Sequence, residues 1–93
     1  MQLGLMDIQI EYCAVWNYSP RAVSLTAEIL GERELEAFIR SWVMLPASGG
    51  KFEVTINGEL VFSKKTLKRH AEPGEIRGLI VQKLEALRGS KSE

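Results

Sequence analysis

A two-layer α/β sandwich is the fold this chain predicts, with two helices on one face of a four-stranded mixed sheet. Three observations carry that reading. Ninety-three residues suffice for one domain around one core, not two. Several short segments alternate apolar and polar residues with the two-residue period of a strand covered on one face only. Two further segments, each opened by a proline, repeat apolar residues at helical spacing, one after the first strand and one after the last.

The first strand is "MDIQIEY", residues 6–12. Ile8, Ile10 and Tyr12 fall on one face, and Asp7, Gln9 and Glu11 on the other, the mark of a half-covered strand. Ser19 then offers a capping hydroxyl, and Pro20 suits the first helical position, where a missing N–H costs nothing. Ala22, Val23, Leu25, Ala27, Ile29 and Leu30 form a broad apolar stripe ahead of Gly31, so a helix is expected over residues 20–30. "LEAFIRSWVML", 35–45, is rich in β-branched and aromatic residues and reads as a strand. "PASGG" is a loop. "KFEVTI" and "ELVFS" alternate again around Asn57-Gly58, a strong hairpin signal because both residues tolerate positive φ. The basic loop "KKTLKRHAE" follows, and Pro73 opens a second helix with the stripe Ile76, Leu79, Ile80, Leu84 and Leu87.

The order is β-α-β-β-β-α. The first three elements predict a right-handed parallel crossover, and the last three strands are expected as antiparallel neighbours. One domain over residues 1–93 is expected, with short tails at 1–5 and 89–93.

Composition narrows the function. Lys plus Arg and Asp plus Glu are twelve each, so no global field draws the chain to nucleic acid or an anionic membrane. Apolar runs such as "WVML" fall far short of the roughly 20 residues that span a bilayer. "MQLGLM" lacks the basic start and long apolar run of a signal peptide, and a cytoplasmic location is expected. One cysteine excludes an internal disulfide, and one histidine, His70, far from it in sequence, argues against a metal site. No cofactor is expected.

The junction "IEYCAVWNYSPRA", residues 10–22, is where chemistry is to be sought. A strand ending "EYC", two residues, a third position and then a polar–aromatic pair resembles the opening of the selenoprotein W-like family, the small thioredoxin-like group also called Rdx. "SPRAVSLTAEIL" is similar to that family's first helix, "SGGKFEVTINGELVFSKK" to its glycine turn and hairpin, and "EPGEI" to the start of its last helix. The resemblance covers residues 7–87 and implies a thioredoxin-like fold with a thiol-based redox role. The family pattern is Cys-x-x-Cys or Cys-x-x-selenocysteine. Cys13 matches its first position, Trp16 stands at its second, and Asn17 and Tyr18 keep the pair that follows. Dithiol chemistry is therefore not implied for this chain.

A single thiol can still form a mixed disulfide with glutathione or a partner-protein thiol, which a second molecule must resolve. The nucleophile is the thiolate. A helix N-terminus after the Cys13 loop, helped by Arg21, would favour it, whereas the Trp16 ring would desolvate it. The alternative is a small, semi-buried cysteine without chemistry, in a redox-silent module that binds a partner through Trp16 and the adjacent loops. Trp16 itself is either a surface anchor or a plug folded over the helix end. Gly49 and Gly50 are expected to turn tightly beside the Cys13 loop. In the 35–45 strand, Phe38, Trp42 and Met44 would form an apolar patch on the open sheet face, suited to a homodimer or protein partner, if Ile39, Val43 and Leu45 face the helices. The inverse register would put Trp42 in the core. Lys64, Lys65, Lys68, Arg69 and His70 read as a solvated loop rather than a nucleic-acid contact, since no aromatics interleave them and Glu72 and Glu75 follow.

Overall fold

The structure is a computed structural model, described over residues 4–89. Its elements are β1 (Met6–Cys13), α1 (Ser19–Leu30), α2 (Arg33–Glu36), β2 (Ile39–Ala47), β3 (Phe52–Ile56), β4 (Glu59–Ser63), α3 (Lys64–Leu67) and α4 (Glu75–Gly89). The sheet order is β2-β1-β3-β4. β2 runs parallel to β1, and β3 lies antiparallel to both β1 and β4. The mixed two-layer sandwich is as the alternation predicts, with one correction. β2 and β3 are not neighbours, because β1 is inserted between them.

One apolar cluster holds the layers together. Met6, Ile8, Ile10, Phe52, Val54, Ile56 and Phe62 from the sheet meet Ala22, Leu25 and Ile29 of α1 and Ile76, Ile80 and Leu84 of α4. Both long helices therefore cover the same face, α1 burying Ala22, Leu25 and Ile29 and α4 burying Ile76, Ile80 and Leu84. The α1 stripe is narrower than expected, with Val23 57% exposed and Ala27 also exposed.

The 35–45 segment departs furthest from expectation. Residues 33–36 form a helical turn whose Leu35 is buried in the core, and the strand begins only at Ile39. It then runs on through Pro46. A proline is tolerated there because β2 is an edge strand and needs no N–H on its outer side. The register pairs Trp42 with Ile8 and Met44 with Ile10, which turns both toward the helices. The Trp42 indole N–H donates to the Thr26 hydroxyl on α1 at 2.9 Å. Phe38, Trp42 and Met44 are all packed on the core, so they form no patch on the open face. Val43 and Leu45, 40% and 38% exposed, stand there instead. Ser41 shares their face and donates to Asp7 at 2.8 Å, alongside the Arg40–Asp7 ion pair. Burying that polar group would have been the cost of the other register.

Three smaller corrections concern ends. Gly4 and Leu5 are no loose tail, since their N–H groups donate to the carbonyls of Ala37 and Phe38. Gly89 closes α4 rather than beginning a tail; the remaining tail residues lie outside the described region. Lys64–Leu67, expected within a loop, is a helical turn capped by the Ser63 hydroxyl, which accepts from the Thr66 N–H at 3.3 Å. The hairpin is as expected. Asn57 and Gly58 have φ of 51° and 82°, the two positive values a type I′ turn requires. Asn57 also accepts from the Asp7 N–H and donates to the Leu5 carbonyl, tying the hairpin to β1.

Candidate functional site

Cys13 is the last residue of β1, where the strand runs out into the turn that leads to α1. Its N–H donates to the Lys51 carbonyl at 2.7 Å and its carbonyl accepts from the Tyr18 N–H at 2.9 Å. These bonds clamp it between the glycine turn and the start of α1. Residues 14–17 make a tight turn closed by the Asn17 N–H donating to the Ala14 carbonyl at 3.0 Å. Asn17 sits at φ 61°, a left-handed conformation that asparagine tolerates better than most residues. Its role in this loop is conformational.

The turn folds back on the sulfur. The Trp16 backbone N–H points at Cys13 Sγ, with nitrogen and sulfur 3.3 Å apart. Cys13 is fully buried, whereas Val15 and Trp16 are 76% and 58% exposed. Trp16 is thus neither a free anchor nor a complete plug. One edge of its ring rests on Gly50, where an added Cβ would lie 2.6 Å from ring carbon Cζ3. Gly49 and Gly50, at φ 73° and 74°, form the expected turn beside the thiol loop.

The start of α1 differs from the expected cap. Tyr18 is the N-cap residue, no side chain caps the helix, and Ser19 and Pro20 lie in its first turn. Arg21 lines a cleft of about 470 Å³ between α1 and residues 70–76, together with Leu25, Phe52, His70 and Ile76. His70, expected in a solvated loop, is instead half-buried against Tyr18 and Phe52 and links this cleft to the thiol loop. Its ring meets Tyr18 edge-on with centroids 4.7 Å apart, and Tyr18 meets Trp16 in the same way at 6.3 Å. Burial first, then the charges of Arg21 and Lys64, push the His70 imidazole below its ordinary pKa. No periodic pattern connects residue 70 with residue 18, so nothing in the sequence announces this contact. Arg69 of the basic segment is engaged by the Glu75 carboxylate at 2.8 and 2.9 Å.

With this geometry in place, comparison with known proteins becomes specific. The model of the Rdx family matches residues 7–82, most of the chain and all of the sheet but Met6. The chain belongs to the Rdx family. Among solved structures it is similar to a selenoprotein W-related protein from Vibrio cholerae, at 28% identity and a TM-score of 0.67, over 81% of this chain and 96% of that one. It is also similar in fold to a protein from Bordetella parapertussis, at 22% identity and a TM-score of 0.73, over 84% of this chain and 95% of that one. No curated protein matches it. Membership in the Rdx family marks a thioredoxin-like protein of redox type, with Cys13 at the strand end and Trp16 at the third position after it. No helix among the described residues is long and apolar enough to cross a membrane.

Proposed function

We propose that this Rdx-family chain is a monothiol redox protein that works through mixed disulfides at Cys13. The observation that carries this reading is the placement of Cys13 at the end of β1, ahead of α1, with the Trp16 N–H 3.3 Å from its sulfur, at the position where the family has its first redox sulfur. In the reaction, the Cys13 thiolate attacks one sulfur of a disulfide such as oxidised glutathione. A Cys13–S–S–R bond forms, the R–S–S–R bond breaks, and one R–S⁻ leaves. A second thiol must attack the mixed disulfide to restore Cys13, because this chain has one cysteine.

Burial of the sulfur makes the 14–17 turn the gate. Its tip is exposed at Val15 and Trp16, and opening it would lift the Trp16 ring edge off Gly50. The same exposure favours a second reading, a redox-silent module that docks a partner protein on Val15 and Trp16 with Cys13 as an inert core residue. The two readings separate on incubation of the native protein with oxidised glutathione at pH 7.5. One glutathione adduct per chain, absent in Cys13→Ser and removed by reductant, is the expected outcome; no adduct on the folded protein leaves the binding module. Trp16→Cys should restore a dithiol, since the backbone of residue 16 returns to within 3.3 Å of Cys13 Sγ, which a disulfide allows where the Cα and Cβ separations and directions suit. The oxidised monomeric variant should lose both titratable thiols and regain them on reduction. Two thiols persisting after oxidation would show that the loop cannot hold the family's disulfide geometry.

A further inference from the structure

Neither Cys13 nor Tyr18 lines the cleft between α1 and residues 70–76, and the Cys13 chemistry makes no use of it. At about 470 Å³ it falls within the range of small-ligand pockets, roughly 300–1,000 Å³. Its apolar wall is made by the core residues Leu25, Phe52 and Ile76. Its polar groups are unevenly matched. Glu28 and Glu72 line it, but each has a guanidinium in its field, Arg77 for Glu28 and Arg69 for Glu72. Those two arginines are themselves bound to Glu32 and Glu75. At the His70 end the balance reverses. Arg21 lines the cleft, Lys64 stands with its Nζ 5.6 Å from the Tyr18 ring centre, and Tyr18 packs on His70. Neither Arg21 nor Lys64 forms a salt bridge among the described residues.

We propose that this cleft binds an apolar carboxylate, its aromatic or branched body on Leu25, Phe52 and Ile76 and its carboxylate on Arg21 at the His70 end. Arg21 is exposed and without a salt bridge among the described residues, so a carboxylate adds a charge-assisted bond to the apolar contact, whereas a cation would meet Arg21 and Lys64 head-on. The direction in which those two charges push the His70 imidazole is consistent with a positive field there. The shared chemistry has two sources, a free aromatic or aliphatic acid and the C-terminus of a polypeptide ending in an apolar residue. The site is independent of Cys13 reactivity.

The test is a titration of the full ¹⁵N-labelled chain followed by NMR, with four probes. Two are acids, 3-phenylpropanoate and acetyl-glycyl-phenylalanine with a free C-terminus; two are the corresponding primary amides. At least one acid should give saturable shifts at the amides of Arg21, Leu25, His70 and Ala71, with a Kd of about 1 mM or tighter. Its amide should bind about tenfold more weakly, the usual weight of a charge-assisted hydrogen bond. Arg21→Gln, at an exposed position, should weaken the acid to the level of its amide and leave the amide unchanged. Binding of the peptide acid alone assigns the ligand to a polypeptide C-terminus; binding of both acids assigns it to the free-acid class. Absence of saturable shifts with either acid, or equal binding of acid and amide, overturns the proposal.

Discussion

At the scale of single residues, the thiol loop depends on two backbone conformations that few side chains accept. Asn17 takes φ 61° to close the 14–17 turn, and Gly50 takes φ 74° beneath the Trp16 ring. The second is constrained twice over, by its φ and by the 2.6 Å approach an added Cβ would make to the ring. Gly50→Ala should therefore displace the Trp16 ring and destabilise the protein by about 1–2 kcal/mol. The check is chemical denaturation together with Trp fluorescence, which should shift to the red as the ring loses its rest. An unchanged emission maximum and midpoint would mean that the ring does not depend on this glycine. Asn17 was legible as a polar residue in a family position, but its left-handed φ was not, because asparagine visits that region without being bound to it.

Among the elements, helix starts divide cleanly by whether a side chain bonds the free N–H groups. Ser19 precedes Pro20 in the pattern of a cap, yet Tyr18 holds that place and no side chain caps α1. Ser63, which reads as the end of a strand, is the residue that caps. Its hydroxyl accepts from the Thr66 N–H at 3.3 Å and lies 3.2 Å from Glu53 Oε2. Ser63→Ala should cost about 1 kcal/mol, and Ser19→Ala close to nothing. Equal losses in the two variants, measured by urea unfolding, would contradict this assignment of caps. At α4 the start is displaced as well. Pro73, expected to open the helix, instead forms with Gly74 a turn ahead of it, in which Gly74 has φ 80° and the Glu75 N–H donates to the Glu72 carbonyl at 3.0 Å, and the helix begins at Glu75. The Glu75 carboxylate returns to accept from the Glu72 N–H at 2.9 Å, which closes the start of the helix from both sides.

For the whole molecule, the charge balance conceals a consistent acid sensitivity. Arg40, with help from Ser41, holds the Asp7 carboxyl down at about 2 from an ordinary 3.8. Arg69 and the Glu72 N–H hold Glu75 at about 2 from 4.5. For a carboxylate lowered in the folded state, the stabilisation is fully present above the unfolded value and is lost as pH falls toward the folded one. His70 acts in the same direction by a different route. Its folded pKa is pushed below the ordinary 6.5, so protonation favours the unfolded chain and its contribution declines as pH falls below 6.5. Urea midpoints should therefore drop modestly from pH 7 to 5 and further from pH 5 to 2.5. His70→Gln should remove the upper step; Asp7→Asn with Glu75→Gln should shrink the lower one. A midpoint independent of pH over this range would refute the assignment. The pairs are partly exposed, so the lower step should also weaken in high salt.

The sequence by itself determined the strand and helix periods, the hairpin at Asn57-Gly58, the helix-opening Pro20 and the strand–Cys13–turn–helix junction. These are local features, written in spacings of two and 3.6 residues or in the conformational limits of asparagine, glycine and proline. Tertiary structure alone decided which face of β2 is buried. Both of its faces carry large apolar groups, and a period of two names the faces without saying which one meets a helix. Parallel pairing with β1 settled that by turning Trp42 onto Thr26 and leaving Ser41 with Asp7. Tertiary structure also decided that Cys13 is covered and that His70 meets Tyr18 and Phe52 beside a cleft. Those contacts join residues far apart along the chain, and only the shared packing of sheet and helices around one core brings them within reach.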